Sequence, residues 1–128
     1  MSDEKILKLE GIVRNLEQSR IPNIYIATID CGDNTKIIMD THRKVKIFDV
    51  GDKLLITIST STPQYEEGKD FLARGYVYSK KIIDDIKKLL ISLWGFLVVI
   101  ETKKDEIYNK FNYMDEIYLH IKNIGRTL

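Results

Sequence analysis

One cysteine, Cys31, and two histidines, His42 and His120, are all the thiol and imidazole groups in 128 residues. A single thiol excludes an internal disulfide and gives no set of metal-binding thiolates. Neither histidine falls in a pattern that specifies a nucleophile with its base or a ligand cluster, so no catalytic residue, metal site or cofactor is expected. Asp30, Asp33 and Asp40 lack the ligand order of a calcium loop. Excess charge is missing as well: 20 basic against 19 acidic residues leave a net charge of +1. A protein that coats nucleic acid needs a basic face, and this balance argues against that task. There is also no membrane span. The longest apolar run, Leu89 to Ile100, is 12 residues with Ser92 inside it, against about 20 needed to cross the hydrocarbon core. Lys87 and Lys88 before it, with Glu101, Lys103 and Lys104 after it, prevent any lengthening. The opening "MSDEKILKLEG" has no basic stretch leading into an apolar one, so no secretory signal is expected. These absences predict a soluble, cytoplasmic chain.

What is present is β-forming sequence. "NIYIATID" and "TKIIMDT" are rich in β-branched residues and flank "CGDN", where Gly32, Asp33 and Asn34 suit positive φ. "KVKIFDVGD" predicts a short strand and a turn at Val50-Gly51-Asp52. In "KLLITIST" the residues Leu54, Ile56 and Ile58 share one face. "KILKLEGIVRNLE" fits a helical stripe or a long strand, and Gly11 in its middle favours a strand with a bend. "FLARGYVYS" and "EIYLHIKN" alternate as strands, with His120 on the polar face of the second and expected at the surface. "TKKDEIYNKFNYMD" reads as a polar connector with one helical turn. Seven or eight short strands predict a small closed barrel. The length suits one domain, residues 1–128, with an exposed loop near 61–70 containing Pro63, Gly68 and several acids.

One stretch resists this reading. Ile82, Ile83, Ile86, Leu89, Leu90 and Leu93 follow an amphipathic helical stripe, and periodicity alone makes Lys80–Leu93 a helix. The run from Trp94 to Ile100 is β-prone on both faces, which few helices lead into.

The order of the pieces resembles a known family. "KIIMDTHRKVKIFDVGDKLLITISTS", an acidic loop, "DFLARGYVYS", "SLWGFLVVIE" and "EIYLHIKN" look like the small eighth subunit of multisubunit RNA polymerases, in its archaeal form. The matching positions are Lys36–Asp40, Val45–Val50, Lys53–Ser61, Phe71–Tyr78, Gly95–Val99 and Tyr118–Ile121. Phe96 departs from the eukaryotic pattern, which has a glycine there, and the acidic loop is shorter. The resemblance implies an all-β, OB-like antiparallel barrel of about eight strands. It turns Lys80–Leu93 into a strand pair hinged at Asp84-Asp85. It implies a non-catalytic subunit of the polymerase that docks on the largest subunit.

Two groups of residues are candidates for binding. Trp94, Gly95 and Phe96 form a corner suited to anchoring a protein partner, and Tyr76 and Tyr78 could share its surface. Tyr108, Tyr113 and Tyr118 extend that aromatic group. His42, Arg43, Lys44 and Lys46, within Thr41–Lys46, are the alternative: the positive strip of a free-standing single-strand nucleic-acid binder, with Phe48 or Tyr25 for stacking. A solvated strand edge, where lysines discourage edge-to-edge aggregation, explains that cluster more simply.

Overall fold

The computed structural model describes residues 4–44, 47–65 and 69–126. Its strands are β1 (Ile6–Gln18), β2 (Ile24–Asp30), β3 (Lys36–His42), β4 (Asp52–Ser59), β5 (Phe71–Ile83), β6 (Ile86–Leu93), β7 (Phe96–Thr102) and β8 (Glu116–Arg126). They close into a barrel in the order β1-β2-β3-β7-β6-β5-β8-β4, with β4 returning to β1. All neighbours are antiparallel. This is the eight-stranded all-β barrel expected from the strand and turn pattern. Its one helix among the described residues is the single turn α1 (Asp105–Tyr108), inside the predicted connector.

β1 and β5 are each 13 residues long and serve two neighbours apiece. β1 pairs with β4 through Ile6–Ile12 and with β2 from Ile12 onward. β5 pairs with β8 through Phe71–Tyr76 and with β6 from Tyr76 onward. A glycine stands near each changeover, where neighbouring atoms approach too closely for a side chain. A Cβ on Gly11 would lie 2.6 Å from Ile29 Cγ2, and one on Gly75 would lie 2.0 Å from the Ser92 carbonyl oxygen. Gly11 is therefore in a strand, as its sequence context suggested, and the reason is close approach as much as bending.

Inward residues alternate along every strand, and the rows match across the barrel. Leu7, Ile58, Leu119 and Ala73 form one such row, Leu9, Ile56, Ile121 and Phe71 the next. Val13, Ile29, Ile37, Val77, Leu89 and Ile100 complete the interior from the other strands. Burying each of these side chains contributes about 1.5–3 kcal/mol relative to leaving it exposed.

Three expectations need correction or resolution. Lys80–Leu93 is a hairpin, not a helix, with its turn at Asp84-Asp85. Ile83 faces Ile86 across that turn, and a bulge between Val77 and Ser79 shifts the phase of β5. The exposed isoleucines Ile82, Ile83 and Ile86 at this turn, with apolar residues on both faces of β6, give spacings that mimic a helical stripe. The strand predicted at "KVKIFDVGD" does not form over Ile47–Asp49; Val45 and Lys46 lie outside the described residues. Side chains take over the bonding of this irregular segment: Asn123 Nδ2 donates to the Ile47 carbonyl (3.1 Å), and Asp52 Oδ2 accepts from the Asp49 amide (2.9 Å). Finally, His120 is buried. Its Nε2 sits 2.8 Å from Asp70 Oδ2, and both side chains are nearly inaccessible.

One end of the barrel is closed by α1 and the residues after it, with Ile107 and Phe111 joining the core. Lys80 reaches across this end, donating to the Phe111 carbonyl (3.0 Å) with its ammonium 4.2 Å from the Tyr108 ring centroid. Burial lowers the Lys80 pKa, partly opposed by Asp115. Asp115 accepts from Lys5 Nζ (2.8 Å) and from the Asn112 amide (2.8 Å), tying the first strand to the connector before the last. Burial pushes its carboxyl up, but the Asn112 amide, Lys5 and Lys80 together outweigh burial and leave the pKa below 3.8. A depressed carboxylate pKa stabilises the fold above the unfolded value, and that stability is lost as pH falls through the folded value. Asp115→Asn is therefore expected to melt below the wild type at pH 7. The gap should close as pH is taken below about 4, and a gap that stays constant to pH 2 would contradict this role.

Candidate functional site

At one end of the barrel β6 turns into β7 through two residues, Trp94 and Gly95, with Leu93 paired to Phe96. Their φ values are 53° and 99°. Positive φ at both central positions is the signature of a type I′ hairpin turn, where Asn-Gly is the favoured pair. Gly95 suits its position. Trp94 does not: a bulky residue with positive φ is an outlier, and such strain costs about 1–3 kcal/mol. The indole gains no burial in return, since it is 85 % exposed. The barrel itself thus gains neither relaxed backbone nor burial from this aromatic.

Trp94 forms one wall of a groove of about 410 Å³ whose other lining residues are Arg74, Gly75, Tyr76, Met114 and Glu116. Met114 repeats the anomaly of Trp94, with φ 72° and a side chain 56 % exposed. Tyr76 stands on the outward face of β5, and the bare backbone of Gly75 lies beside it. The ions among these lining residues are Arg74 and Glu116, 3.2 Å apart and paired with each other. The groove thus offers apolar walls and a neutralised rim, suited to receiving an apolar side chain from another macromolecule.

The structure brings Trp94, Gly95 and Tyr76 together at this corner. Phe96 instead turns inward and packs against the core. Tyr78 is half-buried beside the β5 bulge and does not line the groove. Tyr113, next to Met114, is exposed, while Tyr108 lies under Lys80 and Tyr118 sits across from Arg74. Gly75, Met114 and the Arg74–Glu116 pair were not singled out from the sequence. Only the neighbouring Tyr113 hinted at Met114, which comes from a polar connector.

The alternative cluster is arranged differently. His42 ends β3, and its Nδ1 accepts from the Lys44 amide (3.0 Å), while the Arg43 amide donates to the Asn23 carbonyl (2.8 Å). Lys46 lies outside the described residues. Phe48 is 3 % exposed and is core, so it offers no stacking surface. The acidic side chains engage separate partners: Asp30 meets Arg14 (3.7 Å), Asp33 meets Lys104 (3.2 Å), and Asp40 accepts from the Leu97 amide (3.0 Å). Among the described residues no group of three or more His, Cys, Asp or Glu could hold a metal ion. Burial, then Asp30, raises the Cys31 thiol to about 12, so it is not a nucleophile near neutral pH. No helix among the described residues is long and apolar enough to cross a membrane.

A solved structure of the cytoplasmic molybdate-binding protein ModG aligns over 95 % of this chain and 93 % of its own, at 11 % identity and a TM-score of 0.36. A likeness that weak bears on neither fold nor ligand. The chain is 32 % identical over 112 residues to the DNA-directed RNA polymerase subunit Rpo8 of Sulfolobus acidocaldarius, covering 86 % of this chain and 92 % of the relative. Residues 6–124 match the model of the RpbG family of DNA-directed RNA polymerase subunits. With a family match from β1 into β8 and a relative above 30 % identity across most of both chains, the chain belongs to the RpbG family of DNA-directed RNA polymerase subunits.

Proposed function

We propose that this chain is a non-catalytic assembly subunit of a cytoplasmic archaeal polymerase, docked on its largest subunit through the Trp94 corner. The observation that carries the docking site is Trp94 itself. It holds a left-handed turn position that Asn would fill with less strain, and it leaves its ring in solvent. Aromatics of this kind are the usual anchors of protein interfaces. The barrel acts mechanically: a rigid turn, fixed by two flanking strands, presents the indole and the Tyr76–Met114 walls to a segment of the partner. The test is affinity purification of the tagged chain from its native cell, followed by crosslinking at Trp94. Stoichiometric recovery of polymerase subunits, with the largest one crosslinked, is expected. Crosslinks from Trp94 confined to a different subunit would move the docking site to that subunit.

Contact with nucleic acid is proposed to be weak. A net charge of +1 and a basic cluster whose neighbouring Phe48 is buried leave only non-specific attraction. Titration of a fluorescent single strand at physiological salt should give a Kd of about 10⁻⁴ M or weaker. Sub-micromolar binding removed by Arg43→Glu with Lys44→Glu would reverse this reading in favour of a free-standing single-strand binder.

A further inference from the structure

Outward positions of an antiparallel sheet facing water are ordinarily polar. The wall of β1, β4 and β8 follows that rule in residue type, with rows such as Lys8–Thr57–His120, although Thr57 and His120 are themselves covered. The wall of β3, β7 and β6 breaks it. Ile38, Val99 and Leu90 lie directly opposite one another on its outer face, half-buried by their neighbours and outside the core. The next row toward the Trp94 turn is Leu97–Ser92–Tyr76, with Leu97 45 % and Tyr76 40 % exposed. This is why "LLISLWGFLVVI" is apolar on both faces: one face fills the barrel, and the other coats its outside.

The row on the far side of this stripe is charged. It reads Lys36–Glu101–Lys88–Lys81 across four strands. Glu101 is shared between Lys36 (3.4 Å) and Lys88 (3.2 Å), and Lys81 has no acidic partner among the described residues. The border is therefore basic, three lysines to one glutamate. Area points the same way. An aromatic offers roughly 150–250 Å², so Trp94, with Tyr76 and Met114 only partly exposed, falls well short of the roughly 800 Å² that each partner gives to a stable interface. Docking must spread from the corner, and the apolar stripe adjoins it.

We propose that the outer face of the β3–β7–β6–β5 wall is part of the docking surface and takes an apolar face of another polymerase subunit, edged with carboxylates opposite Lys36, Lys88 and Lys81. This rests on the docking reading above and extends it from a point to a surface. The test compares recovery of identified polymerase subunits by the tagged full chain and its variants in the native cell, with thermal melting of each free chain. Leu97→Lys is the main variant because its side chain is already half in water, so the fold should tolerate it. Val99→Asp is the second, and Lys81→Glu with Lys88→Glu probes the border. Leu97→Lys should melt like the wild type and recover at least tenfold less polymerase. The double glutamate variant should lose recovery at low salt, with a gap that narrows as salt rises. Undiminished recovery by Leu97→Lys alongside loss by Trp94→Ala would overturn the surface and leave the corner standing. Failure of the wild type to recover any polymerase subunit would remove the docking reading and this surface with it. A wild-type dimer in solution that Leu97→Lys dissociates would instead assign the wall to a second copy of the chain.

Discussion

Gly75→Ala should lower the stability of the free chain by about 3 kcal/mol, the upper end of the range for overpacking. The methyl would sit 2.0 Å from the Ser92 carbonyl oxygen and close to Leu93. That oxygen belongs to the backbone of β6 and cannot swing away as a side-chain tip would. Either β5 and β6 separate or the changeover from β8 to β6 moves, and both disturb the hydrogen-bond ladder. Thermal melting should fall by roughly 10 °C, at about 4 °C per kcal/mol for a domain of this size. Ser79→Ala on the same strand is the control and should stay within about 0.5 kcal/mol. A melting loss no larger than that control would mean that the two backbones leave room for a methyl group. Since Gly75 also lines the Trp94 groove, the surviving folded fraction should dock less well.

The second large effect separates stability from binding at Trp94. Trp94→Asn puts the favoured residue in a type I′ turn and relieves left-handed strain, so the free chain should gain about 0.5–1 kcal/mol. The same change removes the anchor and should weaken capture of the polymerase partner by about 2 kcal/mol or more, roughly 30-fold. Trp94→Ala should lose a similar amount of affinity with little change in melting, because the indole is 85 % exposed. The opposite pattern, a destabilised chain with full capture, would make Trp94 a structural residue and empty the docking argument.

The strands were legible wherever apolar residues keep to one face. Leu54, Ile56 and Ile58 alternate with Lys53, Leu55, Thr57 and Ser59, and all three are core. The "CGDN" turn was legible because its chemistry is local: Gly32, Asp33 and Asn34 all adopt positive φ. The hairpin from Lys80 to Leu93 was not legible from periodicity. Its outer face is apolar, which erases the strand alternation, and the exposed isoleucines at the tight turn complete a helical phase. His120 was misplaced because its partner Asp70 is 50 residues away. Phe48 looked like strand because it is aromatic. The groups that hold its segment are Asn123 and Asp52, one of them 76 residues from its bond partner. The corner was half legible: Trp94-Gly95 stood out, but Met114 becomes its neighbour only when the barrel closes.

That closure has a consequence for how the chain is made. β8 lies between β4 and β5, which do not pair with each other. During synthesis, domains fold as units while the chain emerges at about 5–20 residues per second. Here the edges of β4 and β5 remain open until Glu116–Arg126 leaves the ribosome. Unpaired strand edges are templates for aggregation, so this barrel depends on its last strand being translated. A nascent chain stalled near Tyr113 would carry Trp94 and the apolar outer wall but have no closed scaffold to hold them. Translation through β8 thereby becomes the gate to assembly: a product that stops short of it keeps two open strand edges, which favour aggregation over docking.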